Sequence, residues 1–143
     1  MEYNIQYQYD KKKYHAIERI SLLLDKDSFC KIGSRIQGEN NITYDAVITG
    51  NGKEVFVFLQ DFSLNGGTIG LYHERKIAHL IEIDISCKYP VVEICDSGGA
   101  RINERINSLA GCGKIMKYNT WASGYISRIA VVLGACAEAA KQA

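Results

Sequence analysis

Between residues 14 and 24 the apolar side chains Ala16, Ile17, Ile20, Leu23 and Leu24 recur every three or four positions. That spacing predicts an amphipathic helix over 14–24. Asp25-Lys26-Asp27-Ser28 reads as the turn that ends it, and Phe29–Ile32 as a short strand. The period then changes to two. Ala46–Thr49 and Glu54–Leu59 are strand-like, with Gly50-Asn51-Gly52 between them as a hairpin turn. The second of these strands is apolar on both faces, as suits a buried central strand.

Further on, a helix is expected from near Thr68 to Cys87, with Ile69, Tyr72, Ile77, Leu80 and Ile81 as its apolar stripe. Pro90 separates it from the β-branched run Val91–Cys95, a second buried strand. Helical spacing returns over Ala100–Ala110, is expected to break at Gly111-Cys112-Gly113, and resumes over Lys114–Tyr125. A last strand is predicted at Ile129–Leu133. The order β-β-α-β-α-β describes a layered α/β domain, in which ligands gather at the carboxyl ends of the strands.

Composition narrows the functional classes. The chain has 143 residues, 47% hydrophobic and 23% charged, enough for one domain with a real core. A net charge of +1 gives no electrostatic footprint for nucleic acid or an anionic membrane. Residues 1–13 are polar and tyrosine-rich, and are expected to be a loose arm with Lys11-Lys12-Lys13 as a solvated face. The five cysteines lack C-x-x-C spacing, and neither a secretory leader nor a membrane-spanning stretch is expected. The expected compartment is the cytoplasm.

Most side-chain chemistry can be set aside. Gly113-Lys114 fails as a phosphate loop, because Ser108 stands where glycine is needed and Ile115 where serine or threonine is needed. No dinucleotide fingerprint and no G-x-S-x-G elbow occur, and His15, His73 and His79 lack ligand spacing, so no metal site is expected. His73, among Glu74, Arg75 and Lys76, is expected at the surface. What remains is backbone. Asn65-Gly66-Gly67, Ser97-Gly98-Gly99 and Gly134-Ala-Cys-Ala137 each follow or end an apolar strand. If those strands are neighbours, the three turns converge on one pocket lined by N–H donors, suited to an enolate or another oxyanion.

A set of strings in fixed order carries a resemblance. Tyr44-Asp-Ala-Val-Ile-Thr-Gly50, Val55-Phe-Val-Phe-Leu-Gln-Asp-Phe62, Gly66-Gly67, Asp96-Ser-Gly-Gly-Ala-Arg-Ile102, Ser108-Leu-Ala-Gly111 and Gly134-x-Cys-Ala137 resemble the carboxyltransferase subunits of biotin-dependent acyl-CoA carboxylases. The resemblance covers about residues 14–140 and implies an α/β, ClpP/crotonase-like spiral of ββα units, truncated, with 14–143 forming part of a first domain. It implies acyl-CoA as substrate, carboxyl transfer from biotin carried by a partner protein, and no metal. It places the amides of Gly98, Gly99 and Ala100 near the thioester oxygen, starts the next helix at Arg101, and lays the loop Gln60-Asp61-Phe62 to Gly66-Gly67, with Arg101, along the CoA.

Two departures qualify it. Where the family has two oxyanion-hole glycines after Cys-Ala, this sequence has Glu138 and Ala139. Each adds a Cβ, and Glu138 brings a negative charge toward a developing anion. The family's subunits also carry a second domain that contacts biotin, so the chain is expected to depend on carboxyltransferase subunits or a complementary second domain, and on a biotin carboxyl carrier protein. The alternative is a non-catalytic remnant or a split-subunit binding partner. An unpaired strand edge is expected in either case.

Overall fold

The computed structural model describes residues 5–32, 43–50 and 52–137, and for 43–50 the backbone only. The elements are α1 (Ile5–Asp10), α2 (Ala16–Leu23), β1 (Cys30–Lys31), β2 (Thr43–Gly50), β3 (Lys53–Gln60), α3 (Leu71–Cys87), β4 (Val91–Ser97), α4 (Ile106–Ala122) and β5 (Arg128–Cys136). Short 3-10 turns at Asn65–Gly67 and Ile102–Glu104 precede α3 and α4. The strands form a five-stranded sheet in sequence order, antiparallel from β1 to β3 and parallel from β3 to β5. The alternation of strands and helices expected from the hydrophobic pattern is therefore the observed one. Of the hairpin turn, Asn51 lies outside the described residues.

Alternation along β3 and β4 sends side chains to two cores. Phe56, Phe58 and Val91 meet Ile77, Leu80 and Ile81 of α3 and Cys112, Ile115 and Ala122 of α4. Val57, Leu59, Val92 and Ile94 meet Ala16 and Ile20 of α2 on the opposite face. Every residue of β4 is buried, because sheet neighbours flank it and helices cover it. Both parallel crossovers, α3 and α4, lie on one face, so the chain advances across the sheet as a spiral. Among the described residues, no helix is long and apolar enough to cross a membrane.

Several expectations are corrected. Over residues 5–13 the arm is not loose: α1 forms, Gln8 is buried, and the Tyr7 ring stacks on Phe62 with centroids 6.2 Å apart, while residues 1–4 lie outside the described residues. Lys11 and Lys12 are exposed, but Lys13 reaches in to Asp96. Thr68 and Ile69 are outside α3, since Ile69 pairs with Ala100 in a parallel bridge, and Tyr72 faces solvent. Arg101 does not start the next helix, which begins at Ile106. The expected break at Gly111–Gly113 is absent and α4 runs through it. Gly111 sits where a Cβ would lie 2.9 Å from Glu74 Cβ and Cγ, so the glycine serves close packing of α4 on α3. His73 is buried on α3, at 2% exposure.

Candidate functional site

The carboxyl ends of β3, β4 and β5 meet as the glycine pattern expects. Ser97, the last residue of β4, is the junction. Its hydroxyl donates to the Gly67 carbonyl (2.7 Å) and accepts the Gly99 N–H (3.1 Å), and its carbonyl accepts the Ala137 N–H (3.1 Å). The Gly98 N–H donates to the Gly66 carbonyl at 2.8 Å. Gly67, at φ +62°, is required at this junction, because a Cβ would fall on the Asp96 carbonyl oxygen.

These bonds change the account of the donors. The amides of Gly98 and Gly99 are spent inside the junction. The Ile69 N–H donates to the Gly99 carbonyl (2.8 Å) and the Arg101 N–H to the Ile69 carbonyl (2.9 Å), so Ile69 holds both neighbours of Ala100. In such a parallel bridge the intervening residue turns its own N–H away. Ala100 is half-buried, and among the described residues nothing accepts its N–H. Of the three amides singled out in the sequence, that of Ala100 is the one not taken up by an acceptor among the described residues.

The other singled-out residues make contacts within the protein. Gln60 is buried on the face of β3 that carries Phe56 and Phe58, beside Glu93, whose carboxyl is pushed up chiefly by burial. One oxygen of Asp61 accepts the Ser63 N–H (3.0 Å) and hydroxyl (2.5 Å), and the other lies 3.4 Å from His15 Nε2. Phe62 is half-buried under Tyr7, Gly66 is half-buried and Gly67 buried. The Arg101 guanidinium turns inward, donating to the Thr68 carbonyl (3.0 Å) and hydroxyl (3.2 Å) and to Glu104 (2.9 Å). Glu104 in turn accepts the Leu71 N–H at the start of α3 (2.7 Å), so Arg101 clamps the loop before that helix. Glu138 and Ala139 lie outside the described residues.

Sequence reasoning missed the charges behind the junction. Asp96, fully buried, takes Arg19 Nη2 at 2.8 Å, Lys13 Nζ at 3.4 Å and the Ala135 N–H at 3.2 Å. The signals were a carboxylate at the end of an apolar strand and an arginine among the apolar positions of α2, since neither charge is buried without a partner. A groove of about 430 Å³ runs along the α2 face of the sheet, floored by Val92, Ile94, Val131 and Leu133 and edged by Lys13 and Arg19.

Residues 7–140 match the Carboxyl transferase domain family. The chain belongs to that family. It is 40% identical over 144 residues to the mitochondrial propionyl-CoA carboxylase beta chain of Homo sapiens, covering 91% of this chain and 27% of that one. It is 36% identical over 148 residues to the methylmalonyl-CoA decarboxylase subunit alpha of Veillonella parvula, covering 95% and 29%. Among solved structures, the transcarboxylase 12S hexamer with methylmalonyl-coenzyme A bound superposes with a TM-score of 0.89 at 30% identity, covering 96% of this chain and 29% of that one. The fold is thus the crotonase-like carboxyltransferase fold, and the chain spans under a third of the length of each of these three relatives.

Proposed function

We propose that this carboxyl transferase domain is an acyl-CoA carboxyltransferase component, whose converging turns hold the thioester oxygen of a short acyl-CoA during carboxyl transfer to its α-carbon. The observation that supports this reading is the Ser97 junction, which fixes three strand-end loops together and, among the described residues, leaves the Ala100 N–H without an acceptor. In the net exchange the α-carbon gives up a proton and gains the carboxyl group, while the nitrogen that releases the carboxyl takes up a proton, and negative charge rests on the thioester oxygen in between. A fixed amide dipole stabilises that charge without reorganising during the reaction. The family relatives named for propionyl-CoA and methylmalonyl-CoA support short acyl groups as the substrate class.

Carboxybiotin, carried by a biotin carboxyl carrier protein, supplies the carboxyl group when bound. The donors of this chain suit an oxygen of the acyl-CoA, and none of the described residues is assigned to biotin. Carboxyltransferase subunits or a complementary second domain would bring that half of the site and cover the outer strand. The cysteines of this chain are thiols rather than disulfides, which suits a reducing compartment, and we place the reaction in the cytoplasm. A second reading, a non-catalytic split-subunit binding partner, is favoured by Glu138 and Ala139 at the positions where the family carries glycines.

The test is calorimetric titration of the purified chain with propionyl-CoA and with free CoA, followed by transfer assays with carboxylated carrier protein, with and without a complementary carboxyltransferase chain. Tighter binding of the thioester, with transfer only when the partner is present, is the expected result. Equal affinity for thioester and free CoA would overturn the proposal. Thioester-selective binding with no transfer in any combination would establish the non-catalytic reading.

A further inference from the structure

The Asp96 carboxylate lies next to the Ser97 junction, yet no step of the proposed reaction uses it. Its partners come from three separate parts of the chain. Arg19 Nη2, on α2, is 2.8 Å away, with 5% of the Arg19 side chain exposed. Lys13 Nζ, at the end of the arm, is 3.4 Å from both carboxylate oxygens. The Ala135 N–H, on β5, is 3.2 Å from Oδ1. Arg19 is itself fixed, because its Nε donates to the Tyr14 carbonyl at 2.8 Å. Next to Ala135, Gly134 is compulsory, since a Cβ there would occupy the place of the carboxylate.

The consequence lies two residues further on. Between Cys95 and Ser97 the register of β4 and β5 shifts, so the chain after Val132 does not follow the regular ladder. Pairing resumes at Ser97 and Cys136, where the Ala137 N–H meets the Ser97 carbonyl, and the Ala135 N–H adds a bond to the Asp96 side chain. That added bond depends on an anion, and that anion is stable in a buried place only because Arg19 and Lys13 neutralise it.

We propose that Asp96, clamped by Arg19 and Lys13, is a positioning residue that sets the end of β5 against the Ser97–Ala100 turn. The inference rests on the reading of that turn as the acyl-CoA site, for Ala137 is the residue before the positions that the family resemblance assigns to the second pair of oxyanion amides. The device makes the arm and α2 part of the site's scaffold although neither contributes a donor to it. In its absence, the end of β5 keeps only its backbone pairing with Ser97 to hold its distance from Ala100.

Amide hydrogen exchange on the full-length chain tests this without reference to activity. In Asp96→Ala, exchange at Ala135 and Ala137 is expected to accelerate at least tenfold, while the Leu80 and Val91 amides stay within about twofold of the wild type. A merely structural contribution would accelerate all four together through global opening, and that result, or no change at Ala135 and Ala137, would overturn the proposal. Should Asp96→Ala fail to fold, Lys13→Gln removes one of the two cations from a side chain that is 32% exposed, and the same selective acceleration is expected at about two- to threefold. In parallel, propionyl-CoA affinity should fall about tenfold in Asp96→Ala. A wild-type chain that binds no thioester would reject the functional reading, while the exchange pattern still decides whether Asp96 positions β5.

Discussion

His73 shows how a single residue can reverse its local sequence. Charged neighbours predict an exposed imidazole, yet α3 turns it inward, where Nδ1 lies 3.2 Å from the Thr68 carbonyl. A carbonyl only accepts, so Nδ1 carries a proton in this contact. Burial is the main reason its pKa falls to about 4. The Thr68 bond opposes the fall, and the nearby Arg101 and Lys76 charges add to it. The unfolded chain therefore takes up a proton as pH drops from 6.5 toward 4, while the folded chain resists, so stability is lost across that window. At pH 4.5 the loss is about 2 kcal/mol. Asp84 acts in the opposite sense, because burial raises its carboxyl to about 6 against the pull of Arg128, and stability falls as pH rises from 3.8 toward 6. Comparing wild type with His73→Gln cancels the Asp84 effect. Urea unfolding at pH 7 and pH 4.5 should show the cost of the substitution shrinking by about 2 kcal/mol at the lower pH. A cost that is the same at both pH values would mean that His73 titrates normally in the folded chain.

At the scale of elements, what could be read in advance depended on whether the cause was local. The β-branched runs of β3 and β4 and the Ile77, Leu80 and Ile81 stripe of α3 were legible because burial repeats with the period of each element. The continuity of α4 was not, since Gly111 answers to Glu74 on another helix rather than to its own neighbours. The start of α3 was misplaced for the same reason, as Ile69 is held by Gly99 and Arg101 from beyond β4. In the site, glycine at three strand ends was legible. The assignment of donors was not, because Gly98 and Gly99 lose their amides to Gly66 and Ser97. Nor could the distant pairing of Arg19 with Asp96 appear in any periodicity. The two glycines of α4 make this testable. A Cβ at Gly113 meets nothing within 4 Å, so Gly113→Ala should stabilise the helix by about 0.5–1 kcal/mol. Gly111→Ala would press on Glu74 and disturb its ion pair with Lys114 at 3.1 Å, so it should lower the melting temperature while Gly113→Ala raises it by about 2–4 °C. A break in the helix at this point would let the two substitutions behave alike.

For the whole molecule, the informative feature is the unequal cover of the sheet. Helices enclose β4, whereas among the described residues β5 is an outer strand, bonded on one side only, with Ile129 54%, Val132 56% and Leu133 44% exposed. An apolar parallel edge strand of this length, with no proline and a single terminal arginine, carries few of the devices that keep sheet edges from pairing. The family relatives continue for more than twice this span, and a covering segment of a partner carboxyltransferase chain would give β5 the burial that β4 already has. Val132→Lys separates the fold of the domain from that need. Val132 sits on an exposed edge, so the substitution should shift the melting temperature by no more than about 2 °C. Concentration-dependent association of the isolated chain, followed by sedimentation velocity, should meanwhile decline, because a charge on the outer strand opposes edge-to-edge pairing. The same lysine should weaken capture by a complementary carboxyltransferase chain, since burying it there leaves an unpaired charge in an apolar contact. Unchanged association and unchanged capture would together show that β5 is not the surface through which this domain is completed.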